Sequence, residues 1–491
     1  MSEIISEVKT VLSKKDKMYY IHSIIGLLIM FLFGLLPPFD PVTPIGMKFL
    51  GIFLGLVYLW SFVDMGWPIL ASFAALVVLN CMPITDIYTS AFSNYTVMMC
   101  LFTMLVIMPL SNSGVFDYVA AWLLKKPFLK GHPWRLTFVL VGLVFISCAL
   151  HLGGLAILFM VYELTFKICD MCGIKSSHPW AGSVIMASTV SFVIGGGVLP
   201  FGGLPLFMIS IFASALPFQW PFMQYIMFMI CMEVVIMFFY FLIMWLMRID
   251  MTALKNADVS AFLNNLPPIN SHQKKVASLL IAFIVCLVFA GLSPNLPTNP
   301  ITAIFRRVGI VGVSWIFMCF MLIWRIDGKP AFNLNKMSST IPWDSILIIC
   351  VGTSLGPAIT GEATGISKLL YQLTAPIFSG HDTFVFMLLV SLITLVLTNF
   401  FNNTVISMLM VGVISSYATV LDINIITMAA MLLVASQMAM FLPGASYYAG
   451  MVHGQAARLG RKNGFVWGFV VMLATACAIP IMLMIGNVLF A

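Results

Sequence analysis

Long runs of apolar residues, separated by short polar loops, occupy most of the chain between residues 20 and 490. A membrane-spanning helix needs about 20 consecutive and mostly apolar residues. The pattern therefore predicts an all-α polytopic membrane protein with about 11 transmembrane helices. Short helices are predicted after the fourth and ninth spans, at 115–124 and 366–373. The predicted spans cover residues 20–36, 46–62, 68–82, 96–110, 181–216, 222–247, 277–292, 308–324, a stretch that starts near 341, 425–453 and 464–490.

Two further apolar stretches, 133–170 and 383–417, are each interrupted near the middle. The interruptions are Gly153-Gly154 and Asn402-Asn403. Each arm has about 17 residues and would be about 25 Å long as a helix, which reaches most of the way into a bilayer core of about 30 Å. Each stretch therefore fits either one spanning helix or a re-entrant hairpin that enters and leaves the membrane on the same side.

The positions of the basic residues favour two re-entrant hairpins, because cytoplasmic loops are enriched in Lys and Arg. With a cytoplasmic N-terminus and two hairpins, 20 of the 24 Lys and Arg fall in the cytoplasm. Treating either stretch as a single span would place every later loop on the opposite side of the membrane, and this would weaken the excess of Lys and Arg in the cytoplasm. We therefore expect a plasma or inner membrane protein. Its first hairpin opens to the cytoplasm, its second hairpin opens to the outside, and its C-terminus ends outside. The four basic residues left outside are Lys48, Arg306, Arg307 and Lys368.

Composition excludes several classes of protein. Hydrophobic residues make up 61% of the chain and charged residues only 8%, whereas a soluble domain carries about 25% charged residues. Too few charges remain to solvate a water-facing surface, which argues against a soluble enzyme and a disordered chain. The formal net charge of +7 comes from basic residues scattered over short loops, so we expect a lipid bilayer and no nucleic acid as partner.

The two halves of the chain repeat one another. Cys100-Leu-Phe-Thr103 resembles Cys350-Val-Gly-Thr353, and each half continues with a short helix, a hairpin and a span broken by Pro and Gly. The breaks lie around Pro200 and around Pro443. An odd number of crossings separates the halves, so the repeats are inverted. Inverted repeats with paired broken helices are typical of secondary transporters with a site near the bilayer midplane.

This repeat divides the chain into five predicted segments. The first repeat core contains the fourth span, the first hairpin and the broken fifth span, and the second core contains the ninth span, the second hairpin and the broken tenth span. Predicted scaffold helices precede and separate the cores. The boundaries are 1–95 for the tail and the first three spans, 96–216 for the first core, 217–340 for the sixth to eighth spans, 341–455 for the second core and 456–491 for the last span.

The hairpin tips and the helix breaks resemble those of the divalent anion:sodium symporter family, within the ion transporter superfamily. That family carries Ser-Asn-Thr at each hairpin tip, and the second tip here reads Asn402-Asn403-Thr404 after Thr398. The first tip has Gly153-Gly154, with Cys148 in the position of the hydroxyl residue. The break in the fifth span keeps Pro200, Gly202 and Pro205 of the family pattern. The resemblance implies a homodimeric carrier in which a transport domain moves, elevator-like, against a scaffold.

Both tips suit an anion for a physical reason. A helix start exposes unpaired N–H groups and carries about half a positive charge, so backbone donors can bind a carboxylate without Arg. His151 beside the first tip is either an anion or proton ligand or a histidine bonded to a neighbouring carbonyl, and both interpretations stay open. The predicted substrate-binding residues are Gly153, Gly154, His151, Asn402, Asn403, Thr404, Pro200, Gly202, Pro443 and Ser446.

The resemblance also implies one sodium ion at each tip. Thr398, Asn403 and the backbone near Ala445 match such a site in the second half, whereas the first half lacks the Asn and the hydroxyl. We therefore expect coupling to one Na+ at most, or anion exchange. Glu163 and Glu233 lie in apolar stretches, where either could carry a coupling proton. A structural role is favoured for Glu233 because its span is unbroken.

The predicted function is secondary active transport of small organic anions, with a di- or tricarboxylate as the expected substrate. A sulfate transporter and a cation/proton antiporter of the same superfamily remain alternatives, and the antiporter would need an essential buried acid such as Glu163. A membrane-embedded enzyme is a further alternative, although the sequence contains no HExxH, GxSxG or paired-Asp motif. A channel is disfavoured because no ring of charged residues is apparent.

Overall fold

The structure is a computed structural model, and most of the residues that it describes are helical. The description covers residues 2–64, 66–93, 95–111, 127–129, 131–151, 154–200, 212, 221–256, 271–293, 296–326, 329–330, 332–339, 341, 343–360, 362–401, 403–418, 420–443 and 445–490.

The first half runs from the N-terminal helix to a long helix after the first broken span. Its hairpin, called hairpin 1, consists of α6 and α7, and residues 150–153 between them are called tip 1. The helices are α1 (Ser2–Leu32), α2 (Pro44–Phe62), α3 (Trp67–Val78), α4 (Ile84–Phe92), α5 (Tyr95–Ser111), α6 (Pro133–Ala149), α7 (Gly154–Met171), α8 (Pro179–Val198) and α9 (Phe222–Leu246).

The second half repeats this order after two intervening long helices. Its hairpin, called hairpin 2, consists of α15 and α16, and residues 398–402 are called tip 2. Two short strands, Arg325–Ile326 and Lys329–Pro330, pair antiparallel before α12. The helices are α10 (Ser271–Leu292), α11 (Pro300–Ile323), α12 (Leu334–Ser338), α13 (Trp343–Thr360), α14 (Ile366–Phe378), α15 (Thr383–Leu397), α16 (Asn403–Tyr417), α17 (Ile425–Gln437), α18 (Tyr447–His453), α19 (Ala456–Leu459) and α20 (Arg461–Leu489).

The lengths of these helices confirm the polytopic membrane fold. Within the described ranges, seven helices are long and apolar enough to cross a membrane, and two bent pairs bring the number to as many as nine. The hairpin arms α6 and α16, together with α3 and α17, are shorter apolar helices. The predicted hairpins 133–170 and 383–417 correspond to pairs of helices that pack against each other.

Polar residues begin several of these helices at the positions that the loops predict. Asn299 accepts hydrogen bonds from the N–H groups of Ile301 and Thr302, and the Thr302 hydroxyl accepts from the N–H of Asn299. Asp382 caps α15 in the same way through the N–H of Val385. Such caps satisfy backbone donors that a helix leaves unpaired at its start.

Helix α8 forms the centre of the packing and is almost wholly buried. It contacts α6, α7, α9, α18 and α20, so it touches hairpin 1 and the region after the second break. The tyrosines of α9 hold it on one side, because the hydroxyl of Tyr225 donates to the carbonyl of Gly197 at 2.6 Å and that of Tyr240 donates to the carbonyl of Ser183 at 2.9 Å. These bonds fix α9 to α8 across much of the helix.

Three elements differ from the predicted spans. The nine residues of α4 form an amphipathic helix that the apolar runs did not predict. Helix α11 begins at Pro300, earlier than the predicted 308, and bends at Gly309, where φ is +61°. Residues 2–17 extend the first span as helix. The predicted short helix 115–124 and most of the region after Pro200 in the fifth span lie outside the described residues, and the division into five segments stays a prediction.

Candidate functional site

Tip 2 forms where α15 ends and α16 begins. The N–H of Thr398 donates a hydrogen bond to the carbonyl of Thr394 at the end of α15, and α16 starts at Asn403. Thr398 and the following Asn399 are 0% and 1% exposed. A buried polar pair at a helix end requires hydrogen-bond partners, because an unpaired polar group in an apolar environment is costly.

Thr398 finds its partners on both sides of the tip. Its hydroxyl lies 2.9 Å from Oδ1 of Asn403 and 2.5 Å from the carbonyl oxygen of Ser436, at the end of α17. Three oxygen atoms therefore converge, the hydroxyl of the buried Thr398, the backbone carbonyl of the buried Ser436 and the amide oxygen of the half-buried Asn403. Such neutral oxygens are the kind of ligand that hard cations prefer.

Asn399 joins the same tip to the break between α17 and α18, residues 438–446. Its Oδ1 accepts a hydrogen bond from the N–H of Phe441 at 2.9 Å, and its Nδ2 donates to the carbonyl of Leu395 at 2.8 Å. The helix interruption leaves the Phe441 N–H without a helical partner, and the amide of Asn399 supplies one. Thr398 and Asn399 together clamp the two ends of the break.

The break itself is closed by Ser446, which caps α18. Its hydroxyl donates to the carbonyl of Ala439 at 2.7 Å and accepts from the N–H of Ala449 at 3.0 Å. The N–H of Ala445 bonds to the carbonyl of Leu442 at 3.0 Å. Both hydrogen-bonding roles of the Ser446 hydroxyl are thus used within the break, so in this conformation it holds the backbone of the predicted site.

Helix α20 approaches the break closely enough to require a glycine. A Cβ atom on Gly468 would lie 2.5 Å from the carbonyl oxygen of Met440 and 2.8 Å from Cα of Phe441. The Phe441 ring packs edge-on against Phe465 and Phe469 of α20. The break is therefore supported from both sides, by tip 2 and by the last helix.

Tip 1 has a different construction. Helix α6 ends at Ala149, His151 adopts a left-handed backbone conformation with φ of 53°, and its N–H bonds to the carbonyl of Cys148 at 2.9 Å. Helix α7 then begins at Gly154. Cys148 is 5% exposed and occupies the place that a hydroxyl residue holds at tip 2. A thiol is a soft ligand and a weak hydrogen-bonding group, so this place offers little to a hard cation.

Close packing joins tip 1 to its broken helix. A Cβ on Gly195 of α8 would meet the carbonyl oxygen of Phe145 at 2.7 Å and Cβ of Cys148 at 2.9 Å. Helix α8 ends at Val198, Leu199 is extended, and Pro200 lies in a buried turn. Three of the predicted site residues, Gly153, Asn402 and Gly202, lie outside the described residues.

The two repeats meet at the second break. The ring of Tyr448 on α18 packs against that of Phe192 on α8, with centroids 6.0 Å apart. The predicted site residues fall into two groups. The group at hairpin 2 and its break contains Asn403, Thr404, Pro443, Ala445 and Ser446. The group at hairpin 1 and its broken helix contains His151, Gly154 and Pro200. The part of the chain from residue 383 to 457 contains Asp422 as its only charged residue, so the second half of the site is neutral.

Three residues of the site were not predicted. Asn399 and Ser436 clamp the break, and Gln437 is 6% exposed, with an Nε2 that has no hydrogen-bond partner among the described residues. Their signal in the sequence is weak, because each is a single polar residue in an apolar run. The adjacent pair Thr398-Asn399 at the end of a predicted helix could have indicated a cap.

Glu163, the acid proposed for an antiporter, is not buried. Its side chain on α7 is 53% exposed, and Oε1 lies 2.7 Å from Nη1 of Arg458 on α19. The guanidinium of Arg458 also lies 3.9 Å above the ring of Phe166. The expectation of a carboxylate buried at membrane depth was therefore wrong for this residue.

A family profile described as Citrate transporter matches residues 56–436, which is most of the chain and includes hairpin 1 and tip 2. The chain belongs to the citrate transporter family. This family is related to the divalent anion:sodium symporters that the tip motifs resemble. The protein is a multi-pass membrane transporter.

Two individual similarities accompany the family match. The fold is similar to that of the Alcanivorax borkumensis YdaH transporter, with a TM-score of 0.57, 13% sequence identity, and coverage of 89% of this chain and 98% of that one. A stretch of 107 residues is 29% identical to Uncharacterized transporter MT2759 of Mycobacterium tuberculosis (strain CDC 1551 / Oshkosh) and, equally, to its counterpart in a second strain. That stretch covers 22% of this chain and 23% of the relative.

Proposed function

We propose that this member of the citrate transporter family carries small di- or tricarboxylate anions across the membrane by alternating access. The single observation that carries the proposal is the clamp at tip 2, where Thr398, Asn403 and the Ser436 carbonyl converge beside a buried helix start. The family match supports an anionic substrate. The specific anion, the coupling ion and the movement are parts of the proposal.

The anion would bind to neutral donors at tip 2. Helix α16 is 15 residues long and begins at Asn403, and a helix start directs backbone N–H groups out of the helix. Charge at the helix start adds an attraction for a carboxylate. The amide of Gln437 lies one residue beyond the clamp and offers a further N–H donor. A carboxylate held by such donors needs no Arg, which would be costly to bury in a membrane.

A sodium ion would bind at the oxygen cluster and travel with the anion. Three neutral oxygens are suited to it, the hydroxyl of the buried Thr398, the carbonyl of the buried Ser436 and Oδ1 of the half-buried Asn403. Carbonyls near Ala445 complete the proposed set. Because Asn403 belongs both to this cluster and to the start of α16, cation binding would fix the helix end that receives the anion, and this shared residue would couple the two.

The movement that we propose is an elevator. The contacts divide many of the helices into two sets. The first set consists of hairpins 1 and 2, α8, α9, α17 and α20, and the second set consists of α2, α3, α4 and α13. The first set would move as a transport domain against the second. A homodimer, in which the second set of each subunit forms the fixed centre, is part of this proposal.

Uptake of radiolabelled citrate into proteoliposomes tests the function. We expect accumulation with an inward sodium gradient, little accumulation when potassium replaces sodium, and competition by unlabelled succinate or citrate but not by sulfate or phosphate. Asn403→Ala should abolish uptake. Ser416→Ala is the matched control, because Ser416 lies on the same helix and its hydroxyl donates to the carbonyl of Val413 within that helix, away from tip 2.

The other outcomes separate the parts of the proposal. Competition by sulfate alone would replace the carboxylate with a different anion. Citrate exchange that proceeds equally in potassium would remove the sodium ion and leave an exchanger. No uptake or exchange of any anion by correctly folded protein would refute the proposed function as a whole.

A further inference from the structure

One buried carboxylate has no place in the proposed function. Glu233 lies near the middle of α9, its side chain is 7% exposed, and it faces α8. Ser191 of α8 donates its hydroxyl hydrogen bond to Oε1 of Glu233. Among the described residues, Oε2 of Glu233 has no hydrogen-bond partner although it is buried.

The carboxyl group lies directly behind tip 1. Ser191 is one helical turn before Gly195, which is about 6 Å along the axis of α8. Gly195 is the residue whose Cβ would touch Cys148 and the Phe145 carbonyl at the end of α6. Glu233 is therefore held against the one helix that both tip 1 and the second break contact.

No described cation neutralises this carboxyl group. Helix α9 packs against α8, α20 and α10. The part of α20 at the level of Glu233 lies between Trp467, which contacts Tyr240, and the end of the helix at Phe490, which contacts Phe228. The buried residues of this part are uncharged, and Thr475 is the polar one among them. The titratable side chains of the surrounding elements are Arg135 and Cys148 on α6, Tyr162, Glu163, Lys167, Cys169 and Asp170 on α7, His178 at the distant start of α8, Tyr225, Cys231 and Tyr240 on α9, His272, Lys274, Lys275 and Cys286 on α10, Tyr447, Tyr448 and His453 on α18, and Arg461, Lys462 and the exposed Cys477 on α20.

This environment favours the neutral acid over the carboxylate. An ionised carboxylate in an apolar interior is costly unless it is paired with a cation or fully hydrogen-bonded. Glu233 has one hydroxyl donor on one oxygen and none on the other. Ionisable residues inside the membrane commonly mark proton or ion pathways.

We propose that Glu233 is a proton-binding site, and that the proton it holds is taken up and released in each transport cycle. In this proposal the proton at Glu233 replaces the cation that tip 1 cannot hold with Cys148 and glycine. The step is a simple exchange: Oε2 gains H+ from water when the site is open to one side and returns H+ to water on the other. The inference rests on the proposed function, because it assigns a coupling ion to the same carrier.

Two measurements on the full-length protein test it. The first is infrared spectroscopy of the purified carrier at neutral pH, in which the wild type should show the carbonyl stretch of a protonated carboxyl group that Glu233→Gln lacks. The second is citrate accumulation driven by an inward proton gradient at equal sodium on both sides. Glu233→Gln should lose this component completely and retain citrate counterflow, since the amide keeps the bond from Ser191.

Tyr240→Phe is the matched control, because it removes another hydrogen bond between α9 and α8 and leaves the carboxyl group of Glu233 in place. It should keep the proton-driven component. An absent infrared band, or the same proton-driven accumulation in Glu233→Gln as in the wild type, would overturn the inference. If the wild type carries no carboxylate under any gradient, the proposed function fails, while the infrared band still decides whether Glu233 holds a proton.

Discussion

The two hairpin tips occupy equivalent places in the repeat and are built differently. Tip 2 is joined to its broken helix by two side-chain hydrogen bonds, one from the Thr398 hydroxyl to the Ser436 carbonyl and one from the Phe441 N–H to Oδ1 of Asn399. The Nδ2 of Asn399 also donates to the Leu395 carbonyl within hairpin 2. Tip 1 is joined to its broken helix by contact between Gly195, Phe145 and Cys148. One order of elements therefore supports two kinds of contact, a polar clamp at tip 2 and close packing around a glycine at tip 1.

The difference has a consequence for ion coupling. The polar clamp contains side-chain oxygens that a cation can take over, whereas the described contact at tip 1 involves the thiol side chain of Cys148 and the backbone carbonyl of Phe145. We therefore expect the cation at tip 2, and the proposed proton at Glu233 behind tip 1.

The largest effect should come from Thr398→Val, which keeps the side-chain shape and removes the hydroxyl. Its loss leaves Oδ1 of Asn403 and the Ser436 carbonyl without their buried donor, which costs about 1–3 kcal/mol. Sodium-driven citrate uptake should fall about ten-fold or more. Cys148→Val at tip 1 is the paired control and should leave the sodium dependence of uptake unchanged. Equal losses in both variants would mean that the tips do not differ in cation binding.

A second test concerns the close packing of tip 1. Gly195→Ala would place a methyl group 2.7 Å from the Phe145 carbonyl oxygen and 2.9 Å from Cβ of Cys148. Overpacking of this kind costs about 1–3 kcal/mol, so the thermal unfolding midpoint in detergent should fall. Gly196→Ala is the neighbouring control, because no atom lies within 4 Å of its added Cβ. A midpoint that falls equally in both variants would contradict the packing account.

The fold was largely predictable from the sequence, whereas the clamp was not. The interruptions at Gly153-Gly154 and Asn402-Asn403 are local signals, and the hairpins that they predicted agree with α6–α7 and α15–α16. The contacts of Asn399 with Phe441 and of Thr398 with Ser436 join residues 42 and 38 positions apart. No pattern within one helix specifies which distant backbone group will meet a buried side chain. Helix α4 was missed because nine residues are too few to form a membrane-spanning run.

A smaller effect is expected at the surface pair between α7 and α19. Glu163→Gln removes an ion pair whose two side chains are more than one-third exposed, and such pairs contribute at most about 1 kcal/mol. The thermal midpoint should change little and citrate uptake should be retained. The measurement is uptake and unfolding of this variant beside the wild type. Complete loss of transport with intact folding would favour the cation/proton antiporter instead.

The smallest effect should be a pH dependence at the start of α8. Nδ1 of His178 accepts the N–H of Trp180 at 3.2 Å, which requires the unprotonated ring. Burial lowers the pKa of His178, and the charge of Asp250 opposes this shift. The folded protein thus holds its proton less tightly than the unfolded chain, so this contribution to stability is complete above pH of about 6.5 and is lost as the pH falls below that value.

Replacing the histidine isolates this contribution. His178→Asn supplies a capping oxygen that does not titrate. The decrease in thermal midpoint between neutral and mildly acidic pH should be slightly smaller in this variant than in the wild type. An identical pH dependence in the two proteins would show that His178 does not act as a titrating cap.

The most direct test of the account is the sidedness of the loops that flank each hairpin. Single cysteines would replace His132 and Lys175 around hairpin 1, and Ser379 and Val420 around hairpin 2, all of them exposed, in a background without reactive native cysteines. With a membrane-impermeant thiol reagent, we predict that the first pair reacts from one side of the membrane and the second pair from the opposite side. Labelling of either pair from two different sides would contradict the two re-entrant hairpins and, with them, the proposed site.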